Sequence, residues 1–392
     1  MRLQAHPSII FMTDELEEVS NANHLIDSFY STREATDWKG SVQRYEINLL
    51  SEVRKAQKKL RQEDYALKPY REFTLNERGH TRRIKSLHIS DRVVLHSFCE
   101  NVLVPRVKPK LIYDNGASMK GKGISFARRR FCVHLNNFYK QYGNKGYVRI
   151  FDFSKFFDNI PHEPVLEQFS GMLNPAEMDL LASIFRTFEV DISHLTDEEY
   201  ACCMDTVFNS LKYTDPKLRE KFMRKSVGIG NQVSQVVGVF YPHKMDNLAK
   251  IVCGIKPYGR YMDDFYVIAH TKAELDEITD KFMAKSEELQ MFLNYKKIRT
   301  CPLDKEFVYL KTIYKMRENG RIIKRIPKDT ISRERRKIRK LRALVDKGRL
   351  DAEHVHNCYK SWRGSYKNYD SRYEIFKMDK YFKSIFQEVK EI

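Results

Sequence analysis

The 392-residue chain has no apolar run long enough to cross a membrane: stretches such as Gln235 to Tyr241 and Phe265 to Ala269 fall far short of the roughly 20 residues a spanning helix needs. It also lacks the pattern of a secretory leader, since Met1-Arg-Leu-Gln-Ala-His-Pro7 gives way to Asp14, Glu15, Glu17 and Glu18 instead of an apolar segment. Its cysteines are seven, an odd number, scattered at Cys99, Cys132, Cys202, Cys203, Cys253, Cys301 and Cys358 with no C-x-x-C pair. That excludes a disulfide framework, a zinc ribbon and a redox dithiol. There is no internal repeat and no Pro- or Ser-rich linker. A cytoplasmic protein with reduced thiols and no membrane contact is the expectation.

Charge of one sign is what the chain has in excess. Seventy Lys plus Arg stand against 52 Asp plus Glu, a net charge of +18. Such a field concentrates polyanions, so nucleic acid is the first partner to consider. With 42% hydrophobic and 31% charged residues, the chain buries a core under a heavily ionised surface, and a disordered or fibrous protein is excluded. The length allows one large core or two to three modest domains.

Trp38 to Leu60 spaces Val42, Tyr45, Leu49, Leu50, Val53 and Leu60 as one amphipathic helix. Phe73-Thr-Leu75 and Ile84-Lys-Ser-Leu-His-Ile89 flank the turn-like Asn76-Glu-Arg-Gly79 and predict a basic β-hairpin. Asp91 reads as the N-cap of a mostly buried helix that stops before Pro105. Tyr147 to Phe151 is a short strand running into Asp152, and Tyr266 to Ala269 is another running out of Asp264. Glu163 to Ser226 reads as a long helical insertion, and Gly228 to Tyr241 as a glycine-punctuated loop entering a helix. From Arg317 to Arg349 fourteen Lys or Arg face four Asp or Glu, a separate basic helical lobe.

The sharpest signal is Tyr261-Met262-Asp263-Asp264 between two apolar runs. Adjacent carboxylates at a tight turn repel each other, and a divalent cation offsets that cost while supplying catalysis. Hard oxygen ligands suit Mg²⁺. Holding two ions for in-line phosphoryl transfer requires a third carboxylate, and Asp152 at the end of the other strand supplies it. A lone Asp-Asp pair is ordinarily a solvated hairpin turn. Here aromatic and β-branched neighbours, a third aspartate in a matching context and the basic chain favour the metal site.

With these motifs the chain resembles the reverse transcriptases of bacterial retroelements: group II intron proteins, retrons, diversity-generating retroelements and antiphage defence enzymes. The resemblance runs from about Tyr70 to about Lys367. It is carried by Asp152-Phe-Ser-Lys-Phe-Phe-Asp-Asn-Ile-Pro161-His162 as the first catalytic motif and Tyr261-Met-Asp-Asp264 as the second. The implied fold is α+β, a right-hand polymerase. Its implied parts are an N-terminal helical extension (1–69), fingers (70–145), a palm with a small antiparallel sheet (146–305, with the insertion 163–226), and a primer-grip strand with a basic helical thumb (306–392).

The resemblance also implies roles. Thr81-Arg82-Arg-Ile84, with Asp91-Arg92 following, gives Arg82 a grip on the triphosphate; by itself it reads equally as an exposed hairpin arginine. Asp114-Asn115-Gly-Ala-Ser118 with Lys120-Gly-Lys122-Gly123 is similar to a segment touching template and nucleotide, or is simply a basic flexible loop. Phe157 falls at the steric gate that favours deoxynucleotides, against a plain core phenylalanine. In Ile229-Gly230-Asn231-Gln232-Val233-Ser234-Gln235 the Ile-Gly-x-x-x-Ser-Gln pattern is similar to that of diversity-generating retroelements, where most relatives carry Gln-Gly and Ser-Pro. An aliphatic Ile229 cannot hydrogen-bond near the nascent pair, so error-prone copying is expected.

Leu293-Asn-Tyr-Lys-Lys297 resembles the motif whose lysine, here Lys297, assists pyrophosphate departure. Phe307-Val-Tyr-Leu-Lys311 is similar to a degenerate primer grip. Trp362, Arg363 and Lys367, in Ser361-Trp362-Arg363-Gly364-Ser-Tyr366-Lys367, are similar to a thumb segment that follows a duplex backbone, with Trp362 equally readable as a core anchor.

The implied cofactor is two Mg²⁺ ions, with Mn²⁺ as the alternative, held by Asp152, Asp263 and Asp264. The implied partners are an RNA template, a structured non-coding RNA encoded nearby, a DNA primer and product, and dNTPs, with an accessory protein or a homo-oligomer beside them. No His/Asn/Cys cluster reads as an endonuclease, and with 128 residues after Asp264, most of them in the basic lobe, an RNase H domain is not expected. The competing readings are an antiphage defence enzyme, an RNA-dependent RNA polymerase and a catalytically silent nucleic-acid-binding protein.

Overall fold

The computed structural model describes residues 15–62, 65–77, 80–199 and 222–386. In chain order these form α1 (Glu17–Ser20), α2 (Ala22–Arg33), α3 (Gly40–Ile47), α4 (Leu49–Arg61), β1 (Arg71–Glu77), β2 (His80–Ser86), α5 (Ile89–Phe98), α6 (Val104–Val107), α7 (Ile124–Tyr142) and β3 (Tyr147–Asp152). There follow α8 (Phe156–Asn159), α9 (His162–Phe169), α10 (Pro175–Arg186), β4 (Val190–Asp191), β5 (Phe222–Met223), α11 (Gln232–Phe240) and α12 (His243–Asn247). The last elements are β6 (Tyr258–Tyr261), β7 (Asp264–Ala269), α13 (Lys272–Glu288), β8 (Arg299–Pro302), β9 (Phe307–Tyr309), β10 (Thr312–Met316), β11 (Ile322–Arg325), α14 (Lys328–Asp346), α15 (Ala352–Gly364) and α16 (Arg372–Phe386). They divide into two compact units, one of Met1–Tyr113, Phe153–Leu248 and Phe282–Leu293, the other of Asp114–Asp152, Ala249–Lys281 and Asn294–Ile392. Among the described residues no helix is long and apolar enough to cross a membrane.

In the first unit the expected hairpin forms, β1 against β2 from Arg71↔Ser86 to Glu77↔His80; its turn at 78–79 lies outside the described residues. Three local expectations are corrected. The helix read over Trp38–Leu60 is two, α3 and α4, broken at Asn48, whose Nδ2 turns back to donate to the Arg44 carbonyl (2.9 Å). Such competition with the backbone is why asparagine interrupts helices. Asp91 is not an N-cap. His88 caps α5 by accepting from Ser90 N (3.2 Å), while Asp91, 2% exposed, accepts from Tyr65 Oη (2.8 Å) and Lys68 N (3.0 Å).

Nor does the chain leave the helix before Pro105. It widens into a π-turn at Cys99–Leu103 and resumes as α6, and the wider turn accommodates Pro105 and its missing N–H. Within 163–226 the described residues form α9, α10 and a two-residue pairing of β4 with β5. Residues 200–221, including Cys202 and Cys203, lie outside the described residues, and the other five cysteines are free.

The second unit is built on an antiparallel sheet of order β6-β7-β3-β8. Strand alternation puts Val148 and Ile150 of β3 beside Tyr266 and Ile268 of β7 on one face, and α7 covers that face with Phe131, Leu135 and Phe138. Phe131 sits at the hub, its ring 4.6 Å from Tyr266 and 4.9 Å from both Tyr309 and Tyr314. A second sheet, β11-β10-β9, joins this core through Phe307, Tyr309, Tyr314 and Met316. The helices α14, α15 and α16 of the second unit pack on a core of Ile338, Val355, Tyr359, Met378, Phe382 and Phe386, with α14 lying in the basic stretch Arg317–Arg349.

Because Phe131 is fully buried among four aromatic rings, Phe131→Ala should cost about 3–5 kcal/mol. Urea unfolding followed by tryptophan fluorescence and circular dichroism measures it, and a loss below about 1 kcal/mol would mean the hub is not what holds the sheet to α7.

Candidate active site

The acidic locus is assembled by strand register. β3 and β7 pair so that Asp152 lies directly opposite Asp264, one step beyond Phe151 opposite Phe265, whose rings stack at 4.8 Å and 4°. Asp152 continues the row of Val148 and Ile150, and Asp264 that of Tyr266 and Ile268, so each carboxylate ends an apolar stripe at the same edge of the sheet. β6 and β7 are joined by a two-residue turn, Tyr261↔Asp264 being its closing pair. Met262 in that turn takes φ +54°, a left-handed conformation costing a non-glycine residue about 1–2 kcal/mol. The strained turn carries Asp263 at its tip, next to Asp264.

The turn is braced from inside. Arg260, 1% exposed, donates from Nη1 to the Met262 carbonyl (3.2 Å). Its own backbone is paired outward: Arg260 N donates to the Asp114 carbonyl (3.2 Å), and Gly116 N to the Arg260 carbonyl (2.8 Å). Asp114 is in turn clamped by Arg130 Nε (2.6 Å), Lys250 Nζ (2.9 Å) and His134 Nε2 (3.3 Å), while His134 Nδ1 meets Tyr266 Oη (2.7 Å). Burial pushes the Asp114 carboxyl up, but hydrogen bonds from His134, Arg130 and Lys250 outweigh it and hold the group well below the usual carboxylate range.

This corrects the reading of Asp114-Asn115 as part of a basic flexible loop. Both are buried, at 9% and 0% exposure, and they support the strand that carries the Asp pair. Lys120 is exposed on the same loop, and Lys122 lies over the Phe126 ring (5.3 Å).

Electrostatically the locus wants a cation. Asp152 is 8% exposed, and Asp263 and Asp264 are half-buried. Burial, then the charges of Asp263 and Asp152, push the Asp264 carboxyl up to about 7, against the opposing pull of Lys297 and Arg299. Lys297 Nζ sits 2.7 Å from Asp152 Oδ2, and that hydrogen bond raises the lysine further.

Among the described residues no group of three or more Asp, Glu, His or Cys side chains is placed to hold a metal ion as it stands. Carboxylate oxygens suit a hard divalent cation, and Asp152, Asp263 and Asp264 are the carboxylates that meet at this edge, with the ammonium of Lys297 now the counter-charge on Asp152.

The remaining residues singled out in the sequence lie elsewhere. In the first unit Arg82 is exposed on β2 opposite Leu75. Phe157 is half-buried, its ring edge-on to Phe156 (5.1 Å), and a Cβ added at Gly238 would meet it at 3.0 Å. The Ile229 carbonyl accepts from Lys85 N (3.1 Å). Gly230 has φ +121°, and a Cβ there would come within 3.2 Å of Ile84 and 3.3 Å of the Lys85 carbonyl, so the position requires glycine.

Ser234 is buried, its hydroxyl donating to the Val227 carbonyl and its N–H to Asn231 Oδ1 (2.7 Å); Gln235 is exposed. Asn231, the N-cap of α11, passed unnoticed in the sequence although an Asn before an apolar helix is a capping signal. In the second unit Trp362 is half-buried against Tyr359 (5.7 Å) and Tyr366 (5.3 Å), which favours the core-anchor reading. Arg363 pairs with Asp379 (3.1 Å), and Lys367 is exposed.

Residues 79–314 match the family described as reverse transcriptase (RNA-dependent DNA polymerase). The chain belongs to that family. The small antiparallel sheet bearing the three aspartates and the α+β composition accord with the right-hand polymerase fold of reverse transcriptases, and members of the family use divalent metal ions. No curated protein matches the chain.

Among solved structures, apo telomerase from Candida tropicalis is 12% identical with a TM-score of 0.44, covering 66% of this chain and 49% of its own. Telomerase from Candida albicans in complex with a fragment of telomeric RNA is 9% identical with a TM-score of 0.45, covering 83% and 56%. The chain thus spans about half the length of these telomerases.

A folded-state pKa near 7 lies above the 3.8 of an unfolded aspartate, so the metal-free reverse transcriptase binds an extra proton between those values. The stability this contributes is complete below about pH 4 and is lost as pH rises through 7. The stability of wild type relative to Asp264→Asn should therefore fall between pH 5 and pH 8 in chelator; a pH-independent difference in urea midpoints would contradict the burial and repulsion assigned to Asp264.

Proposed function

We propose that this reverse transcriptase is an RNA-directed DNA polymerase that extends a primer 3′-hydroxyl with dNTPs on an RNA template. The observation that carries the reading is the β3–β7 register, which sets Asp152 opposite Asp264 and beside Asp263 within the matched family region. Two Mg²⁺ ions on Asp152 and Asp263, with Asp264 the weaker ligand, would activate the 3′-hydroxyl and neutralise charge on the triphosphate.

Lys297, freed from Asp152, donates to the departing pyrophosphate. Arg82 grips the triphosphate, Phe157 lies under the sugar and excludes a 2′-hydroxyl, and Ile229, Gly230 and Gln235 border the nascent pair. Ser234 acts through the backbone at the start of α11, since its hydroxyl is bonded to Val227. Lys120, Lys122, Arg363 and Lys367 hold nucleic acid by phosphate contacts, which makes affinity steeply salt-dependent.

The biological setting we infer is a bacterial or phage retroelement, with error-prone copying supported by Ile229, where a glutamine would otherwise hydrogen-bond. A defence enzyme that makes DNA from a structured non-coding RNA is the second reading, favoured by the long segment between Glu163 and Ser226.

Protein purified with its co-expressed RNA and supplied with dNTPs or NTPs tests this. DNA is expected from wild type, none from Asp263→Ala/Asp264→Ala, and ribonucleotide entry only in Phe157→Ala. Substitutions concentrated at template adenines and reduced in Ile229→Gln mark a diversity-type enzyme, whereas a faithful or repetitive product marks the defence reading. RNA product from wild type, or no product at all, overturns the proposal.

A further inference from the structure

The last described helix, α16, has two different faces. One packs Met378, Phe382 and Phe386 into the helical core of the second unit. The other is solvent-facing and carries two aromatic rings, Tyr373 (64% exposed) and Phe376 (53% exposed). Each ring has a lysine four residues on lying over it: Lys377 Nζ is 4.3 Å from the Tyr373 centroid and Lys380 Nζ 4.7 Å from that of Phe376. Arg372 and Lys383 are exposed at the ends of the same face. The two acidic residues of the helix point away, Glu374 and Asp379 being half-buried and Asp379 bonded to Tyr359 and Arg363. Neither ring is needed for the fold, because the core is complete on the opposite side.

Exposed rings alternating with cations, with no carboxylate among them, suit one kind of partner. An apolar protein surface would have to desolvate four charges for two rings, a losing exchange. A polyanion leaves the cations satisfied, and rings one helical turn apart, about 4.5 Å along the axis, meet the faces of unpaired bases. A duplex keeps its bases inside the stack and offers only phosphates. We propose that the outer face of α16 is a stacking platform for single-stranded nucleic acid, with bases on Tyr373 and Phe376 and phosphates on Lys377 and Lys380. On binding, each lysine moves from its ring to a phosphate, so the cation–π pair holds the ring ready and yields to the base. The platform extends the nucleic-acid reading of the chain but takes no part in catalysis.

The test is fluorescence anisotropy with the full chain, in chelator and without nucleotides, using a labelled pyrimidine 20-mer RNA and a blunt duplex of the same length. Tyr373→Ala/Phe376→Ala should bind the single strand tenfold or more weakly at an unchanged salt slope, with duplex affinity within twofold of wild type. Lys377→Ala/Lys380→Ala should lower the slope of log affinity against log salt by about 1.4 for the single strand. Tyr373→Phe/Phe376→Tyr keeps both rings and should bind as wild type, which separates loss of stacking from loss of fold.

Because binding is read in chelator and without nucleotides, no DNA synthesis enters the measurement, so failure of the platform is distinguishable from failure of the polymerase reading. Unchanged single-strand affinity in the ring variant, an equal loss for duplex, or a change in sedimentation without a change in binding would each overturn the proposal.

Discussion

Everything at the acidic locus depends on like charges held together against their repulsion. Antiparallel pairing fixes Asp152 across from Asp264, and a two-residue turn fixes Asp263 beside it. In water such a cluster would separate or take up protons. Here it cannot separate, because Asp152 closes β3 and Asp264 opens β7, and the inward-facing residues of both strands are buried in one aromatic core. The cost appears instead as a carboxyl that titrates near neutrality and as a lysine drawn onto Asp152. Both are signs of a site built for positive charge, and a divalent ion satisfies it more completely than one ammonium can.

The support for that arrangement lies a layer behind it. A buried arginine holds the carbonyl of the strained turn, and its strand is paired with a segment anchored by the fully bonded Asp114. In a low-dielectric interior such a network stays fixed only if every charge in it is matched, since an unpaired one would be expensive. Arg130, His134 and Lys250 therefore influence the acidic edge without touching it. The rigid face so produced contrasts with the outer face of α16, where rings and lysines remain in solvent and free to exchange partners.

How much of this the sequence disclosed follows from the range of the interactions. Strand periodicity runs over a few residues, so β3 and β7 were legible, as were the hairpin and the helix in the basic stretch after Arg317. Asp114 was misread because Arg130, His134 and Lys250 lie far along the chain and nothing beside Asp114 signals burial. Asp91 looked like a cap for the same reason: its donors, Tyr65 and Lys68, belong to an upstream segment. Pro105 looked like a stop because a π-turn that absorbs it leaves no local mark. Ser234 and Trp362 carry suitable chemistry for ligand contact, and only the packing around them reveals that one is bonded to backbone and the other leans on Tyr359.

The most direct measurement is Mn²⁺ binding by electron paramagnetic resonance to wild type, Asp152→Asn and Lys297→Ala, without nucleotide or template. Weaker binding in Asp152→Asn by tenfold or more, together with tighter binding in Lys297→Ala, is the expected result, because the first removes a ligand and the second removes the competing cation. Equal affinities in all three proteins would contradict a shared carboxylate site whose resident counter-ion is Lys297.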